Sequence, residues 1–162
     1  MDEEIYARAV AVLDAFRARG WTLATAESCT GGLVAGALTE VPGSSDVVDR
    51  GFVTYSNAAK MAMIGVPEAT LAAHGAVSEQ TARAMAEGAL KSAGVNAAVA
   101  ITGVAGPGGG SETKPVGLVH FACARRDEET VHREKRFGEI GRAEVRRLSV
   151  LEALDLLRSA AS

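Results

Sequence analysis

Residues 21–41 read WTLATAESCTGGLVAGALTEV, and this stretch indicates the fold. Its first six residues, 21–26, are apolar and rich in β-formers, so they predict a buried strand. Residues 33–41 predict a helix. The intervening segment AESCTGG (26–32) places Ser28 at the carboxyl end of a strand and directly ahead of a helix. In open α/β sheets, ligands bind at this end of the strands.

The rest of the chain alternates helices and strands in the same way. Apolar spacing, caps and glycine stops predict helices at 2–19, 57–64, 78–94 and 142–159 and strands at 47–56, 95–102, 116–125 and 130–137. Ser78 and Asn57 are the predicted caps of two of these helices. The last two strands form a predicted hairpin, which makes the sheet mixed. We therefore predict a three-layer α/β/α sandwich with a mixed, mostly parallel sheet, as one domain over residues 1–162.

Composition and charge exclude several classes of protein. The chain has 162 residues, 48% of them apolar, and a formal net charge of −3, so no attraction to nucleic acid or to an anionic membrane is expected. Cys29 and Cys123 are too few and too far apart for a disulfide framework or a zinc site. The acidic start MDEE is unlike a signal peptide, and no stretch is long and apolar enough to cross a bilayer. We expect a cytoplasmic protein.

Ser28 is the first candidate for chemistry. The segment Thr30-Gly31-Gly32 precedes a predicted helix, and amides at a helix start can hold a substrate phosphate or the oxyanion of a tetrahedral intermediate. Glycine at these positions also lets a ligand approach the backbone closely. The alternative is that Ser28 or Thr30 only caps the helix.

A serine nucleophile needs a neighbouring base. His74, His120 and His132 lie after a weak helix or in the predicted hairpin, positions that favour packing or surface roles. Lys60, in the segment YSNAAK (55–60), has apolar neighbours that would allow burial. Burial lowers the pKa of a lysine and makes it a usable base. Most lysines on helices are nevertheless solvated, so this segment alone leaves both interpretations open.

A glycine-rich loop follows the strand that ends at Thr102. Gly103 and Gly106 belong to a pattern that is neither the dinucleotide fingerprint nor a Walker motif. Such a loop can still present successive amides to a phosphate or an oxyanion. It is equally consistent with a flexible connection made of good turn formers.

Arginines begin the last predicted helix. Arg142 and Arg146 lie one turn apart on one face, with Arg147 beside them, and arginine suits phosphate or carboxylate recognition. The alternative is a solvated basic face in which Glu144 is a partner. Cys29 is a rival nucleophile, but no histidine is placed to activate it, so packing is the favoured role.

Five segments, in order along the chain, strongly resemble one family, the C-terminal domain of the competence/damage-inducible protein CinA. They are AESCTGG (26–32), YSNAAK (55–60), GAVSE (75–79), ITGVAGP (101–107) and KPVG (114–117). Stand-alone members of that family are nicotinamide-nucleotide amidases. The resemblance therefore implies hydrolysis of nicotinamide mononucleotide to nicotinic acid mononucleotide and ammonia, in pyridine nucleotide salvage.

The resemblance also implies roles for individual residues. Ser28 matches the nucleophilic serine, Lys60 the lysine that activates it, and Tyr55 an active-site tyrosine. The implied substrate contacts are Thr30, Gly31, Gly32, Thr102, Gly103, Gly106 and, near the phosphate, Arg142. These residues require neither a metal nor an organic cofactor.

Other functions remain compatible with the sequence. One is a nucleotide-binding regulatory module without catalysis, and another is an amidase for a different small amide. The chain is expected to lack the large N-terminal domain of longer family members, and its loop at 108–113 departs from the family pattern. The expected partner is a small nucleotide substrate, with no nucleic acid and no membrane, and predicted edge strands suit a homodimer.

Overall fold

The computed structural model describes residues 2–162, which form a five-stranded sheet covered by helices on both faces. The strands are β1 (Leu23–Glu27), β2 (Val48–Val53), β3 (Ala97–Gly103), β4 (Leu118–Arg125) and β5 (Val131–Arg136). The helices are α1 (Glu3–Arg19), α2 (Leu33–Thr39), α3 (Asn57–Ile64), α4 (Glu68–His74), α5 (Glu79–Ala93) and α6 (Arg142–Ala160), with a short 3-10 turn at Ser44–Asp46.

The sheet is mixed, as predicted. Its strand order is β2-β1-β3-β4-β5. Strand β1 pairs in parallel with β2 and β3, β4 runs antiparallel to β3, and β5 runs antiparallel to β4. Four of the five strands therefore point in one direction. The carboxyl ends of β1, β2 and β3 lie side by side at one edge of the sheet.

The two faces of the sheet carry different side chains. Leu23, Val99, Ile101 and Phe121 pack with α1, α2 and α6. On the opposite face, the residues of β1, β3 and β4 in the apolar core are all alanines, at positions 24, 26, 98, 100, 122 and 124, and they pack against α3, α4 and α5. Small side chains let α5 lie close to the sheet. The predicted three-layer α/β/α sandwich is confirmed.

Helix α5 also packs closely against the end of α3. A Cβ added at Gly88 would lie 1.9 Å from the carbonyl oxygen of Ile64, so no larger residue fits without a backbone shift. Glycine here allows close packing at a position where alanine has the higher helix propensity.

Several predicted boundaries shift. Strand β2 ends at Val53, not at residue 56, because the chain turns there toward α3. The cap of α3 is Ser56, whose hydroxyl accepts a hydrogen bond from the amide of Ala59, so the prediction of Asn57 as the cap was wrong. Ser78 caps α5 as predicted, accepting from the amide of Thr81. No helix within residues 2–162 has the length and hydropathy needed to cross a membrane.

Candidate active site

The candidate site lies where β1, β2 and β3 end. Ser28 follows β1 directly and is 8% exposed, and its amide donates to the carbonyl of Ile101 in β3. Thr54 follows β2, and its amide donates to the carbonyl of Glu27 at the end of β1. Thr102 lies at the end of β3. Three neighbouring strands thus bring their terminal residues to one place.

Lys60 reaches Ser28 from the first turns of α3. Its Nζ lies 3.1 Å from Ser28 Oγ, 2.8 Å from the Thr54 carbonyl oxygen and 3.2 Å from the Tyr55 carbonyl oxygen. The side chain is 1% exposed, and no carboxylate of residues 2–162 forms a salt bridge with it. Burial therefore lowers the pKa of Lys60, because the charged form is desolvated without a compensating anion.

The three oxygens around the amine can satisfy either protonation state, and burial favours the neutral one. A neutral amine has two N–H groups and one lone pair. The carbonyls of Thr54 and Tyr55 accept the two hydrogens, and the lone pair then faces the Ser28 hydroxyl. This arrangement lets Lys60 accept the Ser28 proton as the hydroxyl attacks a substrate.

The histidines lie elsewhere. Nδ1 of His120 and Nε2 of His132 are 2.9 Å apart on β4 and β5, with stacked rings. His74 ends α4. None of the three lines the cavity that contains Ser28. Lysine is therefore the basic group placed to act on the serine.

A cavity of about 290 Å³ opens beside Ser28 and Lys60. Its size lies near the lower end of the range for small-molecule sites, roughly 300–1,000 Å³. The sequence-predicted residues that line it are Ser28, Tyr55, Lys60, Thr102, Gly103, Gly106 and Arg142. The structure thus brings seven of the ten predicted residues together around one space.

Arg142 connects two walls of this cavity. One terminal nitrogen donates to the carbonyl of Gly106 at 2.9 Å, and the other donates to the Tyr55 hydroxyl at 3.3 Å. Tyr55 is 62% exposed, so its ring lies at the mouth of the cavity rather than beside Ser28. On the opposite side, the Thr102 hydroxyl donates to the carbonyl of Ala76 at 2.8 Å.

The structure does not bring the other three predicted substrate contacts, Thr30, Gly31 and Gly32, to the lining of this cavity. Thr30 is fully buried, and its hydroxyl donates to Glu27 Oε1 at 2.6 Å. Glycines 31 and 32 both adopt positive φ, which makes the tight turn into α2. In this structure the two glycines allow the chain to make that turn.

The first amides of α2, from Leu33 to Ala35, already have partners. The buried carboxylate of Glu27 accepts from the amides of Val34 at 2.9 Å and Ala35 at 3.0 Å. The amide of Leu33 donates to the Thr30 carbonyl, and that of Gly31 to the Ser28 carbonyl. The amides of Leu33, Val34 and Ala35 are therefore not available to an oxyanion or a phosphate, because the Thr30 carbonyl and the Glu27 carboxylate accept from them.

Two of the three arginines and Cys29 also have other surroundings. Arg146 donates to the carbonyl of Cys29 at 3.1 Å, behind the turn, and Arg147 pairs with Asp2, Glu4 and Glu144. Cys29 lines the cavity but is buried, and burial raises the pKa of its thiol to about 11. It therefore stays protonated near neutral pH and is a poor nucleophile.

Sequence reasoning missed two parts of this site. Glu27 gave no signal, since a carboxylate at the end of an apolar strand suggests exposure, whereas here it is buried and accepts from the Thr30 hydroxyl. Ala76 and Val77 line the cavity and were noticed only as part of a family motif. Their backbone position depends on tertiary contacts from Thr102 and Thr81, whose hydroxyls bind the carbonyls of Ala76 and Gly75.

Fold and site together define a class: α/β/α proteins with a serine and a buried lysine at the carboxyl edge of a mixed sheet. The sequence model described as "CinA C-terminal domain" matches residues 6–161. The chain belongs to this family.

Known relatives agree with this assignment. The chain is 53% identical over 156 residues to the nicotinamide-nucleotide amidohydrolase PncC of Escherichia coli K12, covering 96% of this chain and 94% of that protein. It is 54% identical over 148 residues to a CinA-like protein of Synechococcus sp. RCC307, covering 91% of this chain but 35% of that protein. This chain spans only about a third of the length of several such relatives, between 30% and 35%.

Solved structures show the same fold. The competence/damage inducible protein CihA from Agrobacterium tumefaciens superposes with a TM-score of 0.98 at 53% identity, covering 100% of this chain and 98% of that one. A CinA superfamily protein from Klebsiella pneumoniae gives 0.91 at 38% identity, with 97% of both chains covered.

Proposed function

We propose that this protein is a nicotinamide-nucleotide amidase that hydrolyses the carboxamide of nicotinamide mononucleotide to nicotinic acid mononucleotide and ammonia. The observation that carries the proposal is the 3.1 Å contact between Ser28 Oγ and the buried, carboxylate-free Lys60 Nζ. The name of the PncC relative, which shares 53% identity over nearly the whole of both chains, supports the substrate and the reaction.

In the proposed mechanism, neutral Lys60 takes the Ser28 proton while Ser28 Oγ attacks the carboxamide carbon. A tetrahedral intermediate forms, and the protonated Lys60 returns its proton to the nitrogen, so that the C–N bond breaks and ammonia leaves. A water molecule then attacks the acyl-enzyme, with Lys60 again as base. This second step releases the carboxylate product and restores the Ser28 hydroxyl.

The oxyanion of each intermediate needs donors close to Ser28. The amide of Cys29 is suitable, because it directly follows the nucleophile and Cys29 lines the cavity. No hydrogen-bond partner is present for this amide within residues 2–162. Hydrolases of several folds use the amide that follows the nucleophile in the same way.

The phosphate of the substrate is assigned to Arg142 and the glycine loop. Arg142 is the arginine that lines the cavity, and its contact with Gly106 places the guanidinium against the loop. Gly108 and Gly109 line the same wall. A guanidinium beside accessible backbone suits a phosphate, since arginine provides charged donors in a fixed geometry.

The direct test is ammonia release from nicotinamide mononucleotide by wild type, Ser28→Ala and Lys60→Ala. Lys91→Ala is the matched control, because Lys91 lies in the last turn of α5, outside the cavity. We expect the control to keep wild-type activity and both site variants to lose nearly all of it. Full activity in Ser28→Ala or in Lys60→Ala would refute the role assigned to that residue.

Two other functions are outcomes of the same assay. Binding of the nucleotide to wild type without any ammonia release would indicate a regulatory module rather than an enzyme. Equal kcat/KM for nicotinamide, nicotinamide riboside and nicotinamide mononucleotide would contradict the phosphate assignment and point to an amidase for another small amide.

The proposal extends to the organisation of the protein: a single domain over residues 1–162 that acts as a homodimer in the cytoplasm. Strands β2 and β5 form the two edges of the sheet, and exposed edges favour pairing with a second chain. The two cysteines are both free, which suits a reducing compartment. Light scattering of the purified protein tests the dimer, and a monomer at micromolar concentration would contradict it.

A further inference from the structure

We propose that Arg146 is a positioning residue for catalysis, which holds the peptide groups after Ser28 in the orientation that the reaction needs. We call residues 28–32 the nucleophile turn. The inference rests on the proposed amidase function for its kinetic consequence. Its structural consequence, an ordered turn, is measurable without any activity.

Arg146 contacts the nucleophile turn from behind, on the side away from the cavity. Its Nε donates to the carbonyl of Cys29 at 3.1 Å, and a terminal nitrogen lies 3.5 Å from the carbonyl of Thr30. A Cβ added at Gly31 would lie 3.4 Å from the same terminal nitrogen, so the guanidinium packs directly against the turn. Arg146 reaches these atoms from the first turns of α6.

The surroundings of Arg146 differ from those of its neighbour. Arg147 pairs with three carboxylates, those of Asp2, Glu4 and Glu144. Arg146 has no salt bridge to any carboxylate of residues 2–162, and main-chain carbonyls are its hydrogen-bond partners there. The guanidinium of Arg146 therefore interacts with the backbone of the nucleophile turn and not with a counter-ion in the described part of the chain.

The contacts fix two successive peptide planes. In a trans peptide the C=O and N–H groups point in opposite directions. The Ser28 carbonyl accepts from the amide of Gly31, so the Cys29 N–H is directed the other way. The Cys29 carbonyl is held by Arg146, which directs the Thr30 N–H away from the guanidinium. The orientation of the proposed oxyanion donor therefore depends on a turn that Arg146 holds.

Glu27 holds the same turn from the other end. Its carboxylate binds the Thr30 hydroxyl and the amides of Val34 and Ala35. No salt bridge joins Glu27 to Arg146. The turn is thus fixed between an anion that caps α2 and a cation that projects from α6.

A positioning role predicts a loss in the chemical step rather than in substrate binding. Misplacement of a catalytic group by about 1 Å can lower the rate by on the order of 100-fold. For Arg146→Ala we expect kcat to fall by at least about tenfold, with KM within about twofold of wild type. Arg146→Lys keeps one donor near the Cys29 carbonyl and is expected to retain an intermediate kcat.

The experiment measures ammonia release by wild type, Arg146→Ala, Arg146→Lys and the control Arg147→Ala, with and without added guanidinium at low millimolar concentration. Thermal melting of each variant establishes that it is folded. In parallel, amide chemical shifts of residues 29–31 are recorded by NMR. We expect guanidinium to restore part of the Arg146→Ala activity and the amide shifts to change in Arg146→Ala but not in Arg147→Ala.

The proposed role of Arg146 can be overturned in two ways. Wild-type kcat in folded Arg146→Ala, or unchanged amide shifts at residues 29–31, would overturn the inference. Equal losses in Arg146→Ala and Arg147→Ala, with no rescue by guanidinium, would indicate a general packing role instead and would also overturn it. If wild type releases no ammonia from nicotinamide mononucleotide, the proposed function fails, and the amide shifts alone decide the role of Arg146.

Discussion

Thr54 and Lys60 are joined by a 2.8 Å hydrogen bond from the lysine Nζ to the threonine carbonyl oxygen. The amide of the same threonine donates to the Glu27 carbonyl, one residue before Ser28. A single residue at the end of β2 therefore ties the base to the strand that carries the proposed nucleophile. The separation of Lys60 Nζ and Ser28 Oγ is set by backbone contacts, which leave little freedom to either side chain.

The first prediction concerns the pH dependence of the reaction. The proposed mechanism requires neutral Lys60, and burial lowers the pKa of Lys60 from the ordinary value of 10.5. We expect kcat/KM to rise with pH along a limb whose midpoint lies below 10.5, because deprotonation creates the active form. Rates measured between pH 5 and pH 10 on nicotinamide mononucleotide give this midpoint. Lys60→Arg is expected to be inactive throughout, since arginine stays protonated.

Glu27 provides a second prediction, on stability. Glu27→Ala removes three hydrogen bonds and leaves the amides of Val34 and Ala35 without their partner. We expect a loss of about 2–4 kcal/mol in the free energy of unfolding, measured by urea denaturation. Glu112→Gln, in an exposed loop, is the control and should stay within about 0.5 kcal/mol of wild type. A change that small in Glu27→Ala would contradict the capping role.

Two glycines in helices predict opposite effects of the same substitution. At Gly88, an alanine Cβ would meet the Ile64 carbonyl oxygen at 1.9 Å, so Gly88→Ala should destabilise the protein by about 1–3 kcal/mol. At Gly36 in α2, nothing lies within 4 Å of the added Cβ, so Gly36→Ala should stabilise by about 0.5–1 kcal/mol through helix propensity. Urea denaturation of both variants measures the difference. Equal changes in the free energy of unfolding of the two variants would show that packing around the added Cβ does not determine the effect of the substitution.

The stacked histidines predict a loss of stability in acid. Burial lowers the pKa of both His120 and His132 below the ordinary value of 6.5, and for His120 the neighbouring His132 lowers it further. Glu79 and Glu134 act in the opposite direction on both rings, while Lys114 adds to the lowering at His120 and Arg83 at His132.

The sign follows from proton binding. Below about pH 6.5 the unfolded chain takes up protons that the folded chain does not, so stability falls as the pH drops from 6.5 toward the lowered values. Urea denaturation of wild type and His132→Gln at pH 7.5 and pH 5 measures this effect. We expect the variant to lose less stability on acidification than wild type. An equal loss in both proteins would exclude the histidine pair as its source.

Much of the fold could be predicted because its signals are local. The spacing of apolar residues in α1 and α6, the cap at Ser78 and the glycine after α5 each depend on a few consecutive residues. The end of β2 could not be predicted, since residues 54–56 are rich in β-formers. Only the tertiary contacts of Thr54 with Glu27 and with Lys60 show that the strand has ended.

The site divides in the same way. Ser28 and Lys60 were each candidates from their own segments, and only the family resemblance joined them as a pair. Thr30 was predicted as a substrate contact because it precedes two glycines, and its hydroxyl donates to a buried carboxylate. That carboxylate belongs to Glu27 on the same segment, and nothing local indicated that it folds back over the helix start. Long-range packing decides such orientations, and a single sequence does not encode them in a readable pattern.

The absence of a carboxylate beside Lys60, within residues 2–162, has a consequence for comparing members of this family. Burial with no carboxylate nearby lowers the pKa of Lys60, whereas a carboxylate beside the amine would raise that pKa and favour the charged form. A carboxylate introduced next to the Lys60 amine is therefore expected to lower the proposed activity while both residues of the serine–lysine pair stay in place. Active and inactive members should therefore be distinguished by the charge of the side chains that surround the lysine, as well as by the presence of the lysine itself.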